Sequence, residues 1–356
     1  MLSYNKWLSM QQSNKIGDFL IQEIAKGTDS PVRIASDYFH VSRQAVNRHL
    51  KQLVQERLII AEGQTRNRKY RLRELVNQTF TVDLTTPSQE DKLWRDQVRP
   101  LLDVVPENVL NICQYGFTEI MNNAIEHSEG TLAEIQVKRT AANIILIVTD
   151  NGIGIFNKIK REFNLDDERD AILELAKGKL TTEPANHTGE GIFFTSRVFD
   201  EFRITSGKLH FRHEWGEDWL VDTELGNSPS MRTDGTRVFM YISVFSKRTL
   251  NDVFNEYAGE PGLFGFDKTH IPMSLAQYGD EKLISRSQAK RVMNRVERFR
   301  EIVLDFSNVN LIGQAFADEI FRVFQNQHPE INLQVVNANP QVQNMITRVL
   351  SSSETS

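Results

Sequence analysis

The chain has 356 residues, which at roughly 150 residues per domain predicts two or three domains. Hydrophobic residues make up 40% of it and charged residues 25%, close to the globular average, so wholesale disorder is excluded. The longest strongly apolar run, residues 144–148, is far shorter than the roughly 20 residues that a membrane helix needs, and we expect no membrane association.

Charge and cysteine usage set two further limits. The net charge is −5, but residues 1–76 carry 13 Lys and Arg against 7 Asp and Glu. These residues therefore have a net charge of +6, and the rest of the chain has a net charge of −11. A basic front end suggests a module that meets a polyanion. The single cysteine, Cys113, permits no internal disulfide, and the first residues lack a signal-peptide pattern, so we expect a cytoplasmic protein.

The first 60 residues carry three helical signals. Residues 15–26 have apolar side chains at helical spacing, and Ser30 with Pro31 predicts the start of a second helix that ends near Phe39. Ser42 is the expected N-cap of a third helix. The outward face of that helix offers donors suited to phosphates and base edges: Arg43, Gln44, Asn47, Arg48 and Lys51.

Two short strands, residues 58–60 and 70–72, follow and are joined by a basic loop that carries Arg66, Arg68 and Lys69. Three helices and a basic hairpin resemble the winged helix-turn-helix family over residues 14–74. The resemblance implies a DNA-binding domain in residues 1–76, with the third helix in the major groove and the wing on the backbone. It assigns DNA contacts to Ser42, Arg43, Gln44, Asn47, Arg48, Arg66, Arg68 and Lys69. A winged helix used for protein contact is the alternative.

A second set of motifs begins on a predicted helix over residues 109–127. Glu119 and Asn123 are four residues apart and share one helical face. A buried carboxylate can polarise a water or a hydroxyl, and an Asn oxygen is a hard ligand suited to Mg²⁺ that carries phosphates. The spacing alone is also common on solvated helix faces.

Three glycine-containing turns follow along the chain. A buried strand over residues 143–149 leads to Asp150, Gly152 and Gly154, where backbone can approach a ligand beside a carboxylate that could accept a bond from an exocyclic amine. Gly189 and Gly191 precede a helical stretch, so they predict an anion cradle at a helix N-terminus. Gly235 and Thr236 precede a further strand, residues 238–244.

In this order the four motifs resemble the N, G1, G2 and G3 boxes of the GHKL ATPases, over roughly residues 95–245. The resemblance implies a Bergerat α/β sandwich in residues 77–248 that binds ATP and Mg²⁺, with a mobile lid at about 156–188. It implies that Asn123 holds the metal, Asp150 recognises adenine, and Gly152 and Gly154 shape the base pocket. Gly189 and Gly191 would wrap phosphate, and Thr236 would support the base pocket.

The residue type at position 119 distinguishes the branches of this superfamily. The resemblance makes Glu119 the general base of the hydrolases and of the anti-sigma serine kinases, whereas histidine kinases usually carry Asn there. Since no phosphoacceptor histidine box precedes the domain, a histidine kinase is disfavoured. Glu190, between the two phosphate-loop glycines, is unusual because its charge lies near the expected phosphates.

The last 90 residues alternate strands and helices: strand 271–275, helix 285–299, strand 302–306, helix 314–327, strand 333–336 and helix 340–350. The stretch that begins Leu304-Asp305-Phe306 resembles the STAS fold of anti-sigma factor antagonists, which implies a STAS-like domain over 265–351. Those antagonists are phosphorylated on a serine at the start of the following helix, where this chain has Gln314 and Ala315. We therefore interpret this domain as an interaction or autoinhibitory surface.

The sequence as a whole predicts a multidomain α+β protein: a winged helix, a Bergerat α/β sandwich and a STAS-like βα module. Our preferred interpretation is a DNA-binding regulator controlled by its nucleotide state, and slow ATP hydrolysis as its timer is an option that the sequence leaves open. The alternatives are a serine/threonine protein kinase of anti-sigma type that acts on a separate STAS partner, and an ATP-dependent clamp ATPase. A protein partner at the STAS-like domain or the lid, and a homodimer, both stay open.

Overall fold

Three β-sheets follow one another along the chain. A computed structural model describes residues 4–64, 68–86, 90–180, 189–214, 217–222, 233–258, 266–277 and 281–353. In chain order these residues build a two-stranded, a seven-stranded and a three-stranded sheet, each accompanied by helices. We refer to the N-terminal unit (residues 4–72), the central unit (76–257) and the C-terminal unit (266–353). None of the described helices combines the length and the apolar character required to cross a membrane.

The N-terminal unit consists of three helices and a hairpin: α1 (Tyr4–Ala25), α2 (Pro31–Phe39), α3 (Arg43–Gln55), β1 (Ile59–Glu62) and β2 (Lys69–Leu72). The strands pair antiparallel. The predicted elements are confirmed, except that α1 begins at Tyr4 rather than at residue 15 because no Gly or Pro interrupts the intervening residues. Ser42 caps α3 by accepting a hydrogen bond from the Ala45 N–H at 3.2 Å.

The seven-stranded sheet of the central unit is antiparallel throughout. Its strands are β3 (Val76–Asp83), β4 (Leu132–Arg139), β5 (Asn143–Asp150), β6 (Glu201–Gly207), β7 (Leu209–Glu214), β8 (Glu217–Asp222) and β9 (Thr233–Ser243), in the order β3-β4-β5-β9-β6-β7-β8. Because side chains alternate along a strand, Ile144, Leu146 and Val148 share one buried face of β5. Asp150 ends that row and is also buried.

The helices of the central unit are α4 (Glu90–Leu93), α5 (Glu107–Asn122), α6 (Ile155–Phe163), α7 (Glu168–Lys177), α8 (Gly191–Val198) and α9 (Leu250–Tyr257). Helices α5 and α8 pack closely because α5 carries Gly116, where a Cβ would overlap the ring of Phe199. The segment expected to form the lid contains α6 and α7. All residues of α7 from 170 to 177 are buried.

The C-terminal unit is a parallel sheet in the order β10-β11-β12 with helices between and after the strands. Its elements are β10 (Lys268–Pro272), α10 (Arg286–Met293), β11 (Glu301–Asp305), α11 (Gln314–Asp318), α12 (Gln325–Gln327), β12 (Asn332–Val336) and α13 (Pro340–Ser353). The strand expected at 271–275 was misplaced, because residues Met273–Ala276 form a buried 3-10 turn. A short apolar run does not distinguish a strand from a buried helical turn.

The central and C-terminal units meet along α7. The ammonium group of Lys177, only 1% exposed, donates to Glu174 Oε1 at 2.7 Å and to the carbonyl oxygens of Arg291 (3.2 Å) and Asn294 (2.9 Å) at the end of α10. Burial lowers the pKa of Lys177, and the Glu174 carboxylate opposes that shift. Three acceptors therefore satisfy the three donors of a buried ammonium group, and two of the acceptors belong to the other unit.

Replacing Lys177 with methionine keeps a long unbranched side chain but leaves the Glu174 carboxylate buried without its cation. We expect Lys177→Met to lower the free energy of unfolding by about 3–5 kcal/mol, measured by urea titration with circular dichroism. Lys290→Met is the matched control, because the Lys290 ammonium group is exposed and lies 3.9 Å from Glu319. Equal stability of Lys177→Met and wild type would contradict the prediction.

Candidate functional site

A cavity of about 380 Å³ opens at the end of β5 where Asp150 lies. Its walls come from β5, β6, β9 and from helices α5 to α8, and its volume is within the range of about 300–1,000 Å³ typical of small-molecule sites. The apolar part of the lining includes Ile120, Val148, Ile159, Ile204 and Val238. The polar part includes Glu119, Asn123, His127, Asp150, Lys158, Glu162 and Thr236. An apolar pocket with a few converging polar groups is the usual form of a ligand site.

Asp150 is held in place by the backbone around it. Its side chain is 7% exposed, and Oδ1 accepts hydrogen bonds from the N–H groups of Gly152 (2.9 Å) and Thr236 (3.2 Å). Burial raises the pKa of Asp150, and these two bonds oppose the shift. The Thr236 hydroxyl accepts a bond from the Ile155 N–H at 2.9 Å, which joins the start of β9 to the start of α6.

Three glycines permit this close packing. A Cβ on Gly152 would overlap the Ser128 carbonyl group, and one on Gly235 would overlap the Asp150 carbonyl oxygen. Gly154 has φ +82°, and its Cβ would lie 2.5 Å from the Ser206 hydroxyl. Larger residues would push these segments apart, so glycine is required at all three places for steric reasons.

Glu119 and Asn123 lie where α5 ends in a π-helical turn, Asn123–His127. Asn123 Nδ2 donates to the Glu119 carbonyl oxygen at 2.8 Å, which turns the amide nitrogen back toward the helix. Single π-helical turns of this kind occur often at functional sites. The turn therefore fixes the orientation of the Asn123 amide at the cavity wall.

Gly189 and Gly191 bring a second helix end to the cavity. Gly189 has φ +70°, and its carbonyl accepts a bond from the Leu180 N–H at 3.0 Å. Gly191 is the first residue of α8, and a Cβ on it would overlap Glu119 Oε2. The Glu119 carboxylate therefore lies against the N-terminus of α8, where N–H groups without a partner in the helix favour negative charge.

The charges around the cavity are mostly negative. Glu119, Asp150 and Glu162 line it, against Lys158, whose ammonium group pairs with Glu129 at 3.3 Å and with Glu162 at 3.4 Å. Among the residues that the structure describes, no group of three or more His, Cys, Asp or Glu side chains could hold a metal ion by itself. A hard cation bound here would therefore take most of its ligands from its anionic partner and from water.

The structure places most of the predicted nucleotide residues together. Glu119, Asn123, Asp150, Gly154, Gly189, Gly191 and Thr236 all line the cavity. Gly152 is not in the lining and instead packs against Ser128 behind Asp150.

Sequence reasoning missed Lys158 and Glu162, which line the cavity, and Tyr115, which lies near Glu119 and Glu190. Lys158 and Glu162 are four apart in a charged helix, a pattern that predicts only a solvated face. Tyr115 is one turn before Glu119, and burial raises its pKa, as do the negative charges of Glu119 and Glu190. Helical spacing from Glu119 was the signal that could have found Tyr115.

A second, basic groove of about 940 Å³ lies on the N-terminal unit between α2, α3 and the hairpin. It is lined by Arg33, Arg43, Gln44, Asn47, Arg48, Lys51, Arg68 and Lys69, with Asp29 as the acidic member. Arg33 was not singled out from the sequence. Ser42 is outside the lining and uses its hydroxyl as the cap of α3, while Arg66 lies outside the described residues.

The turn after β11 was the third region singled out from the sequence. Burial acts to raise the pKa of Asp305, but hydrogen bonds from His270, Ser307 and Asn337 outweigh it and hold the pKa far below its ordinary value. Gln314 begins α11 and is exposed, as is Ala315. The place that corresponds to the phosphorylated serine of the antagonists is therefore exposed, but neither residue there has a hydroxyl group.

Comparison with known proteins identifies part of the C-terminal unit. Residues 288–343 match the family model of the STAS-like domain of unknown function (DUF4325). The match runs from α10 into α13, so these elements form a STAS-like domain. The comparisons with curated proteins and with solved structures gave no match for the chain.

The raised pKa of Asp150 predicts how stability depends on pH. A carboxyl group whose pKa is higher in the folded chain destabilises the fold when ionised, and this cost disappears as the pH falls toward its ordinary pKa of about 3.9. Asp150→Asn keeps an oxygen acceptor but cannot ionise. We therefore expect a higher thermal midpoint than wild type at pH 7, without nucleotide, and a difference that shrinks as the pH falls toward 4.

The control for this experiment is Asp234→Asn, because Asp234 is exposed at the start of the neighbouring strand β9. Its thermal midpoint should follow that of wild type across the same pH range. A midpoint of Asp150→Asn below that of wild type at pH 7 would contradict the expected cost of the buried carboxylate.

Proposed function

We propose that the central unit is a GHKL-type ATP-binding domain of Bergerat fold and that the protein is a nucleotide-controlled DNA-binding regulator. The observation that carries the proposal is that four motifs far apart in sequence meet at one cavity. Glu119 with Asn123, Asp150 with Gly154, Gly189 with Gly191, and Thr236 all line it. The antiparallel sheet with α5 and α8 packed on each other is consistent with such a sandwich.

The adenine end of this proposed site is at Asp150. The carboxylate is fixed by two backbone N–H bonds to Oδ1 and stands beside the apolar side chains of Val148 and Val238. An adenine base would pack against the apolar side chains of the cavity wall, and its exocyclic amine would donate a hydrogen bond to the carboxylate. Because hydrogen bonds to charged groups contribute about 1.5–3 kcal/mol, this contact can select adenine.

The phosphate end is at the N-terminus of α8. The first N–H groups of α8 and the helix dipole favour a phosphate there, and Asn123, which also lines the cavity, would supply an amide oxygen. When bound, Mg²⁺ would offset the repulsion between phosphates and the carboxylates of this negatively lined cavity. These residues fit that ion, because Asn123 offers an oxygen donor and the phosphates would complete its shell.

Glu119 is the proposed general base. Its carboxylate lies against the same helix end, so it can hold a water or a hydroxyl beside a terminal phosphate and take its proton. This position suits hydrolysis and also suits phosphoryl transfer to a protein hydroxyl. The serine/threonine kinase that acts on a separate STAS partner therefore stays as the second candidate.

The clamp ATPase is less well supported. Such enzymes receive a phosphate-binding lysine from a later domain, whereas the described residues that line the cavity all fall between 119 and 238.

The N-terminal unit is the proposed winged helix-turn-helix domain. Its groove joins the outward face of α3 to the hairpin, with six basic side chains and one acidic one in the lining. A convex helix beside a basic hairpin suits a major groove and its flanking phosphates. Arg43 and Arg48 lie on α3, where they could reach base edges as well as phosphates.

Two variants test the nucleotide site. Asp150→Asn should weaken Mg–ATP binding by at least about tenfold, because one charged hydrogen bond is lost. Glu119→Ala should keep its affinity within about threefold of wild type but lower turnover by about 10²–10⁴, because only the base is removed. Calorimetry measures the binding, and γ-labelled ATP with cell extract separates free phosphate from labelled protein.

The control is Glu126→Ala, an exposed carboxylate in the same π-helical turn, which should behave as wild type. No heat on titrating wild type with Mg–ATP would overturn the nucleotide proposal. A labelled second protein would favour the kinase over the ATPase, and equal turnover in wild type and Glu119→Ala would contradict the role of Glu119.

DNA binding is tested by its dependence on salt. Arg43→Ala and Arg48→Ala should each weaken binding to duplex DNA and reduce the slope of log K against log salt by about one, since each removes a phosphate-neutralising charge. Fluorescence anisotropy measures both quantities. Arg57→Ala is the control, because Arg57 is exposed on the same unit outside the groove. Unchanged slopes for both variants would contradict docking through α3.

A further inference from the structure

The backbone between α7 and the cavity adopts an uncommon conformation. Gly178 has φ +83° and the next residue, Lys179, has φ +53°. The left-handed region is unfavourable for a residue with a side chain, and such strain persists only where surrounding contacts hold it.

The contacts that hold this segment come from the C-terminal unit. Lys179 Nζ donates to the Arg298 carbonyl oxygen at 3.1 Å, and the Arg298 guanidinium donates in return to the Lys179 carbonyl oxygen. Thr269 Oγ1 donates to the Lys177 carbonyl oxygen at 2.7 Å. Phe266 covers Gly178 so closely that a Cβ there would lie 2.6 Å from its ring. Three successive residues, 177 to 179, are therefore fixed by the other unit.

The same segment forms part of the cavity wall. Leu180 follows immediately, lines the cavity and bonds through its N–H to the carbonyl of Gly189. Phe193, in the first turn of α8, also lines the cavity, and its ring centroid is 4.5 Å from that of Phe266. The C-terminal unit thus contacts the cavity wall at two places, at the segment that leads to Leu180 and at Phe193.

The described residues that line the cavity include none from the C-terminal unit. Any influence of this unit on a ligand must therefore act through the wall and not by direct contact. A wall held in its binding conformation before the ligand arrives increases affinity, because less ordering remains to be done on binding.

We propose that docking of the C-terminal unit on residues 177–180 and binding of nucleotide in the cavity are positively coupled. The docked unit holds Leu180 and Phe193 in the positions that shape the phosphate end, and a bound nucleotide in turn stabilises the docked unit. This reciprocity follows from linkage, which requires the two effects to be equal in size. The inference rests on the proposed nucleotide site.

The test uses the full-length chain and two variants that weaken docking without touching the cavity lining. Thr269→Val removes only the hydroxyl that bonds to Lys177, and Arg298→Ala removes the guanidinium that bonds to Lys179. The control is Arg286→Ala, whose ion pair with Asp318 (3.3 Å) lies within the C-terminal unit. Calorimetry with the non-hydrolysable analogue Mg–AMPPNP gives affinity, and amide hydrogen exchange of residues 268–272 and 291–299 reports docking.

We expect both variants to bind the analogue at least about fivefold more weakly than wild type and Arg286→Ala to bind as wild type does. In wild type, the analogue should slow exchange in both segments, and this protection should decrease in the two variants. If exchange shows weakened docking but affinity is unchanged or higher, the coupling is overturned while the nucleotide site stands. If wild type binds no analogue, the proposed nucleotide site fails, and the coupling fails with it.

Discussion

The close packing around the buried Asp150 carboxylate is the constraint on which the rest of the central unit depends. β5 and β9 meet there, and Gly152, Gly154 and Gly235 bring three backbone segments into contact with no room for a side chain. The Oδ1 bonds to Gly152 and Thr236 then join the end of β5 to the start of β9. A carboxylate is costly to bury, and backbone donors that are fixed by the fold offset part of that cost here.

The two ends of β5 have different neighbours. At the Asp150 end is the cavity, and at the other end Ala142 packs into the core of the N-terminal unit, together with Ala141 and Phe245. The strand has eight residues, so these two places are roughly 25 Å apart. Since the hairpin strand β2 is followed within a few residues by the edge strand β3, the N-terminal unit is joined to the sheet by chain and by core.

The C-terminal unit is attached in another way. It meets the central unit through buried charged groups and through the ring of Phe266. The Lys177 ammonium group donates to the carbonyl oxygens of Arg291 and Asn294, and the Arg291 guanidinium lies 3.2 Å from the Asp170 carboxylate. Buried charges tolerate few alternative geometries, because each displaced group would lose its partner inside the protein. In the proposed regulator, the cavity therefore lies nearer to the STAS-like domain than to the groove that is proposed to bind DNA. A signal from the nucleotide would reach the C-terminal unit through one layer of side chains.

The sequence by itself determined much of the local structure and most of the predicted nucleotide residues that line the cavity. Helical and strand periodicity, the cap at Ser42 and the glycines near Asp150 depend on neighbours along the chain, and most of the elements expected from them are present. Spacing on one helix was enough to pair Glu119 with Asn123. The exceptions, such as the buried turn Met273–Ala276, are short apolar runs that show neither helical nor strand periodicity.

Only the tertiary structure decided which distant segments meet. It placed Glu119 against Gly191, Lys158 in the cavity wall, and Lys177 at the end of α10. A lysine four residues before a glutamate, or three after one, has the same sequence pattern on a solvated helix face as in a buried pair. Burial depends on what packs over the helix, and part of the cover of α7 comes from distant residues: Thr269, which donates to the Lys177 carbonyl oxygen at 2.7 Å, is 92 residues further along the chain. No local pattern contains that information.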